Sequence, residues 1–148
     1  MRAREKGEIS RGRRGKVMFD HFGFVVRDLA KSLRFYEASL APLGLRIAER
    51  HGNEAVIISA EEAEFPFIWM GTSKPDFWRE EYGAARSPFH LAFSAPSREA
   101  IVAFHEAGLR HGGTDNGAPG ARGSSYYAAF LLDPDGNNIE AGVREATS

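Results

Sequence analysis

The chain carries one pattern twice. Asp20-His21-Phe22-Gly23-Phe24 returns 69 positions later as Phe89-His90-Leu91-Ala92-Phe93, and each copy runs on into a helical pattern. In that register Phe24 matches Phe93, Phe35 matches Phe104, Glu37 matches Glu106, Ala38 matches Ala107 and Leu40 matches Leu109, without a gap. A period of about half the chain implies two fused modules rather than a solenoid. His21 and His90 therefore hold equivalent places.

With 148 residues the chain is long enough to bury a core without disulfides or a structural metal. Hydrophobic residues make up 43% and charged ones 26%, a globular balance, and no apolar run approaches the roughly 20 residues that span a bilayer. The expectation is a soluble, cytoplasmic protein with no membrane partner. The absence of cysteine excludes disulfides, thiolate nucleophiles and Cys-ligated metals, so any metal must be held by His and carboxylates. Residues 1–17 carry seven of the 19 Lys/Arg but two of the 20 Asp/Glu, which leaves an acidic remainder. This head lacks the apolar segment of a secretory signal and reads as a disordered basic extension. A tail so short supplies only non-specific phosphate contacts, which disfavours nucleic acid as a partner.

Residues 18–145 read as a single domain, with module one at 18–73, a connector at 74–87 and module two at 88–145. In module one a strand from Met18 to Val26 points Phe22, Phe24 and Val26 one way and His21, Gly23 and Val25 the other. Asp28 caps a helix whose Leu29, Leu33, Tyr36 and Leu40 form one apolar stripe, ended by Pro42 and Gly44. Strands follow at Leu45 to Glu49, Glu54 to Ser59 and Phe65 to Met70. Module two repeats the order: a strand from Phe89 to Ala95, a Ser97 cap, a helix to Ala107 stopped by Gly108, and a short strand near Leu109 to Gly113. Thr114 to Ser125 reads as a long Gly/Ser-rich loop, a mobile flap or a plain connection. Strands Tyr126 to Leu132 and Asn138 to Val143 enclose the turn Asp133-Pro134-Asp135-Gly136-Asn137. The fold class is α+β, two βαβββ modules.

His21, His90 and Glu140 all fall on the strand faces turned away from the helices, beside the small residues Gly23, Ala92 and Gly142. Two imidazoles and a carboxylate form a facial triad that leaves coordination positions open and suits one divalent ion of Fe, Mn, Co, Ni or Zn. Arg122, just before the tyrosine strand, is a candidate clamp for a carboxylate or phosphate. Trp69, Tyr126 and Tyr127 are candidates to line the cup, Tyr127 also to assist proton transfer. His51 reads as a turn residue, and His105 and His111 as packing or solvated residues. Phe77, Trp78 and Tyr82 mark the connector as a cover for a sheet edge or a subunit interface.

With Asp20-His21 opening the first module, Phe89-His90 opening the second and Asp133-Pro134-Asp135-Gly136-Asn137-Asn138-Ile139-Glu140 closing it, the chain resembles the vicinal oxygen chelate superfamily. That superfamily includes glyoxalase I, extradiol dioxygenases, fosfomycin resistance proteins and bleomycin-binding proteins. The resemblance spans about Met18 to Val143 and implies a cupped mixed sheet around a divalent metal held by His21, His90 and Glu140. Two departures narrow it. The place of a further Glu ligand in glyoxalase I falls at Ile68 or Trp69, with Glu64 nearby. The acid-base His and the Tyr of extradiol dioxygenases would fall at Ala121 and Phe130, nineteen and ten positions before Glu140.

The resemblance implies a metal-dependent enzyme of lyase, isomerase or dioxygenase type acting on a small substrate with neighbouring oxygens, and a homodimer. The alternative is a metal-free protein that sequesters an aromatic antibiotic between Trp69, Trp78, Tyr126 and Tyr127.

Overall fold

The computed structural model describes residues 18–61, 63, 65–73, 76 and 89–146. The expectations for residues 1–17, for Glu64 and for most of the connector, Trp78 included, lie outside that set.

Module one runs β1 (His21–Val25), α1 (Leu29–Leu40), a 3-10 turn (Ala41–Leu43), β2 (Leu45–His51), β3 (Ala55–Ala60) and β4 (Phe67–Gly71). Module two runs β5 (His90–Ser94), α2 (Arg98–Arg110), β6 (Thr114–Ala121), β7 (Tyr126–Leu132) and β8 (Asn138–Arg144). Each module folds into its own four-stranded sheet, β1-β4-β3-β2 and β5-β8-β7-β6, in which the first and last strands pair in parallel and the rest antiparallel. The expected pair of βαβββ modules is present. Among the described residues no ladder joins the two sheets, so each remains separate.

Both helices start where the caps predict. The Asp28 carboxylate accepts the Lys31 N–H at 3.1 Å and the Ser97 hydroxyl accepts that of Ala100 at 3.1 Å, satisfying donors that a first helical turn leaves unpaired. The buried stripe of α1 centres on Phe35 and Tyr36, with Ser32 and Ser39 also enclosed and Leu33 only partly so. Helix α1 packs on α2. Phe24, Phe35, Tyr36, Ile58, Met70, Ile101, Phe104, Leu131 and Ile139 belong to one core that draws on both helices and the inner faces of both sheets. The opposite faces of the sheets are turned outward.

The structure departs from the sequence expectation at three places. The first strand begins at His21, and Met18 and Phe19 lie exposed before it. Helix α2 passes through Gly108 and ends at Arg110, because the left-handed residue that stops it is Gly112, at φ +98°. Residues 109–113 accordingly form no strand. Finally, the expected Gly-rich loop is mostly strand β6, which pairs with β7 through two register shifts. Pro119 is tolerated there because β6 is an edge strand, where a missing N–H breaks no ladder.

The turn between β7 and β8 does more than reverse the chain. Asp133, buried, accepts backbone N–H bonds from Asp135 and Asn137 and side-chain bonds from Asn137 and, at 2.5 Å, from the Tyr36 hydroxyl of α1. That last bond ties module one to module two.

Candidate metal-binding face

The register of β8 decides what the outward face of the second sheet carries. Ala92 on β5 and Phe130 on β7 both pair with Glu140, so these three share that face, as do His90, Tyr126, Ala128 and Gly142. Glu140 has a side chain 9% exposed, while His90 is half exposed with Nε2 3.0 Å from Glu140 Oε2. The other carboxylate oxygen, Oε1, accepts the Tyr126 hydroxyl at 2.7 Å. Desolvation, followed by the hydrogen bond to Glu140, pushes the Tyr126 phenol up to about 12. Tyr126 is therefore a hydrogen-bond donor rather than a base at ordinary pH. The Phe130 ring stacks beside His90 with centroids 6.5 Å apart.

His21 occupies the corresponding face of the first sheet. Its Nδ1 lies 2.7 Å from Asp20 Oδ1 and its ring stacks flat on Phe67 at 4.8 Å. The Asp20 contact occupies Nδ1 and leaves the Nε2 edge of a half-exposed ring without a partner among the described residues. His21 pairs with Phe67 and Gly23 with Trp69, just as His90 pairs with Asn138 and Ala92 with Glu140. Trp69 is thus the internal counterpart of Glu140. Its ring lies over Gly71, where a Cβ would sit 2.6 Å from it. On this sheet a concavity of about 700 Å³ opens between Arg46, Glu49, His51, Ser59, Phe67 and Ile57, the last being the ladder partner of Trp69.

The structure brings together His90, Glu140 and Tyr126 and leaves His21 on the other sheet. Among the described residues no three His, Asp or Glu side chains converge on one point. Tyr127 is on the opposite face of β7 from Glu140, with the Arg98 guanidinium of α2 4.6 Å above its ring and the core beside it. The phenol hydroxyl that meets Glu140 is that of Tyr126 instead. Arg122 turns back to donate to the Ala118 carbonyl at 2.8 Å and lies 5.5 Å from the Phe130 ring, on the rim of the His90 face. His105 is a packed strut, its Nε2 2.9 Å from Asp115, and His111 bonds the Ala107 carbonyl of its own helix.

A divalent metal fits this donor set chemically. His90 Nε2 and Glu140 Oε2 are adjacent borderline and hard donors, and Glu140 is already oriented by Tyr126. Among the described residues His90 and Glu140 meet within the chain, while His21 stands on the other sheet. The Tyr126 contact escaped the sequence reading, although the hairpin register places positions 126, 128 and 130 on the face of 140 and 142, so a signal for it existed.

Comparison with known proteins places the fold. Residues 18–141 match the Glyoxalase/Bleomycin resistance protein/Dioxygenase superfamily. A glyoxalase/bleomycin resistance protein from Albidiferax ferrireducens is similar at 32% identity and a TM-score of 0.66, covering 86% of this chain and 99% of that one. A glyoxalase-related enzyme from Fulvimarina pelagi has 15% identity, a TM-score of 0.63 and coverages of 87% and 89%. Lactoylglutathione lyase from Agrobacterium tumefaciens has 16% identity, a TM-score of 0.60 and coverages of 86% and 94%. At such identities the last two speak for the fold alone. Comparison with curated protein sequences returned no significant match.

Proposed function

Because the chain belongs to the Glyoxalase/Bleomycin resistance protein/Dioxygenase superfamily, we propose that it is a metal-dependent enzyme acting on a small molecule with two neighbouring oxygens. The observation that carries the reading is the His90–Glu140 pair, a nearly enclosed carboxylate 3.0 Å from an imidazole on an open sheet face. A carboxylate so placed, with a tyrosine donor on its other oxygen, is costly as plain structure and useful as a ligand.

His90 and Glu140 would hold the ion together with His21, and a bound divalent ion supplies Lewis acidity that stabilises negative charge developing on substrate oxygen. The third donor comes from a second copy of the chain, the outward face of sheet one in one protomer covering the outward face of sheet two in its partner. Support for this arrangement is the division of the residues, His21 on the outward face of sheet one and His90 with Glu140 on that of sheet two. Trp69 then forms a flat apolar wall, Phe130 holds the His90 ring, and Arg122 stands at the rim for an anionic substrate group. Lyase or isomerase chemistry is favoured over ring cleavage, since Ala121 and Phe130 stand where the dioxygenase His and Tyr would. Trp69, in the place of a fourth carboxylate, separates it from the glyoxalase I pattern.

A second reading, metal-free sequestration of an aromatic molecule, draws support from the concavity of about 700 Å³ on the first sheet, lined in part by Ile57 and Phe67. Elemental analysis of protein purified without chelator or affinity-tag metal decides between them. The enzyme reading predicts a near-stoichiometric first-row metal that is lost in Glu140→Ala. No metal in the native protein, even after anaerobic loading with iron, manganese, nickel and zinc, would leave sequestration.

A further inference from the structure

Glu140 reaches the surface of its sheet with its two oxygens already divided between partners. Oε1 accepts the Tyr126 hydroxyl at 2.7 Å, and Oε2 lies 3.0 Å from His90 Nε2. Several features of the strand ladder maintain that division. Tyr126 pairs with Arg144, four ladder steps away from the Phe130 and Glu140 pair, so its ring reaches Glu140 only by crossing residue 142. Residue 142 is glycine, and a Cβ there would collide with both the ring and the hydroxyl. The Arg144 guanidinium stands 4.6 Å from the ring centroid and holds it from a neighbouring position. In module one the equivalent glycine, Gly71, is overlaid by the ring of Trp69 instead, which stands at the position of Glu140. The glycine seat under an aromatic ring is common to both modules; only in module two does the ring hand a hydroxyl to a carboxylate.

We propose that Tyr126 is a positioning residue that engages Oε1 and leaves Glu140 to meet a divalent metal through Oε2 alone. The inference rests on the metal-dependent reading above and adds to it how the carboxylate is fixed. A carboxylate with both oxygens free can rotate and chelate through either or both; one with an oxygen tied to a phenol keeps a single orientation and a defined number of donors.

The test is titration of the native protein with Co(II), followed by visible absorption, beside Tyr126→Phe, Gly142→Ala and Glu140→Ala, with circular dichroism to verify folding. Tyr126→Phe removes one oxygen atom and leaves the ring. Gly142→Ala keeps the hydroxyl but obstructs the seat. The expected result is Co(II) affinity about 10- to 100-fold lower in Tyr126→Phe, with an altered visible band, and a change in the same direction in Gly142→Ala. Glu140→Ala should abolish binding. Equal affinity and an identical spectrum in native protein and Tyr126→Phe would overturn the positioning role while leaving the metal centre intact. No Co(II) binding by folded native protein would overturn both the role and the reading beneath it.

Discussion

A buried carboxylate needs donors, and Asp133, 3% exposed, has four of them, the longest at 3.0 Å. Tyr36 is the donor that comes from the other module. Burial, with the Asp133 charge behind it, raises the Tyr36 phenol well above its usual 10.0. The fold therefore favours the protonated phenol. Stability from this group is fully present below about pH 10, the ordinary tyrosine value, and is lost as pH rises beyond it. Thermal melts from pH 7 to 11 should show the native protein weakening above pH 10 and Tyr36→Phe weakening less steeply. At pH 7 the same substitution should cost about 1–3 kcal/mol, because it leaves a buried acceptor short of a donor; an unchanged melt would contradict the latch. At this scale the face of each candidate was readable from strand parity, since His21, His90 and Glu140 do fall on outward faces. Tyr127 was not, because face assignment on β7 needs the hairpin register carried back from Glu140 to Tyr126. The bond between Tyr36 and Asp133 joins residues 97 positions apart and left no local pattern.

Gly108 shows where element boundaries escape a sequence pattern. A glycine after an apolar stripe reads as a helix stop, yet here it lies inside α2, where a Cβ would collide with Leu131 and come within 3.2 Å of Phe35. The residue is small because β7 and α1 press on that point. An ordinary interior helix glycine gains about 0.5–1 kcal/mol when replaced by alanine. Gly108→Ala should instead lose about 1–3 kcal/mol through overpacking, read as a lower melting temperature. A higher melting temperature would mean the contact is slack. Strand β6 teaches the same lesson from the other side. Its Gly, Pro and Asn carry little strand preference, and pairing with β7 imposes the strand, at the cost of two register shifts. The caps at Asp28 and Ser97 and the β7–β8 turn were legible because their signals are local.

At the scale of the molecule, the repeat predicted two modules and the structure contains two, each with its own sheet and both built on one shared core. Whether the sheets close a cup within one chain lies beyond periodicity, because parity assigns a face and not the partner that covers it. The separation of His21 from His90 and Glu140 makes cross-subunit assembly the central claim. Mixing two inactive chains tests it most directly. His21→Ala keeps His90 and Glu140, Glu140→Ala keeps His21, and neither homodimer holds a complete donor set. If sites form across the interface, unfolding and refolding an equimolar mixture should restore about a quarter of the native metal content, one intact site in each mixed dimer. Metal content no higher than that of the separate variants, with mixed dimers verified by mass spectrometry, would contradict assembly of the site between subunits.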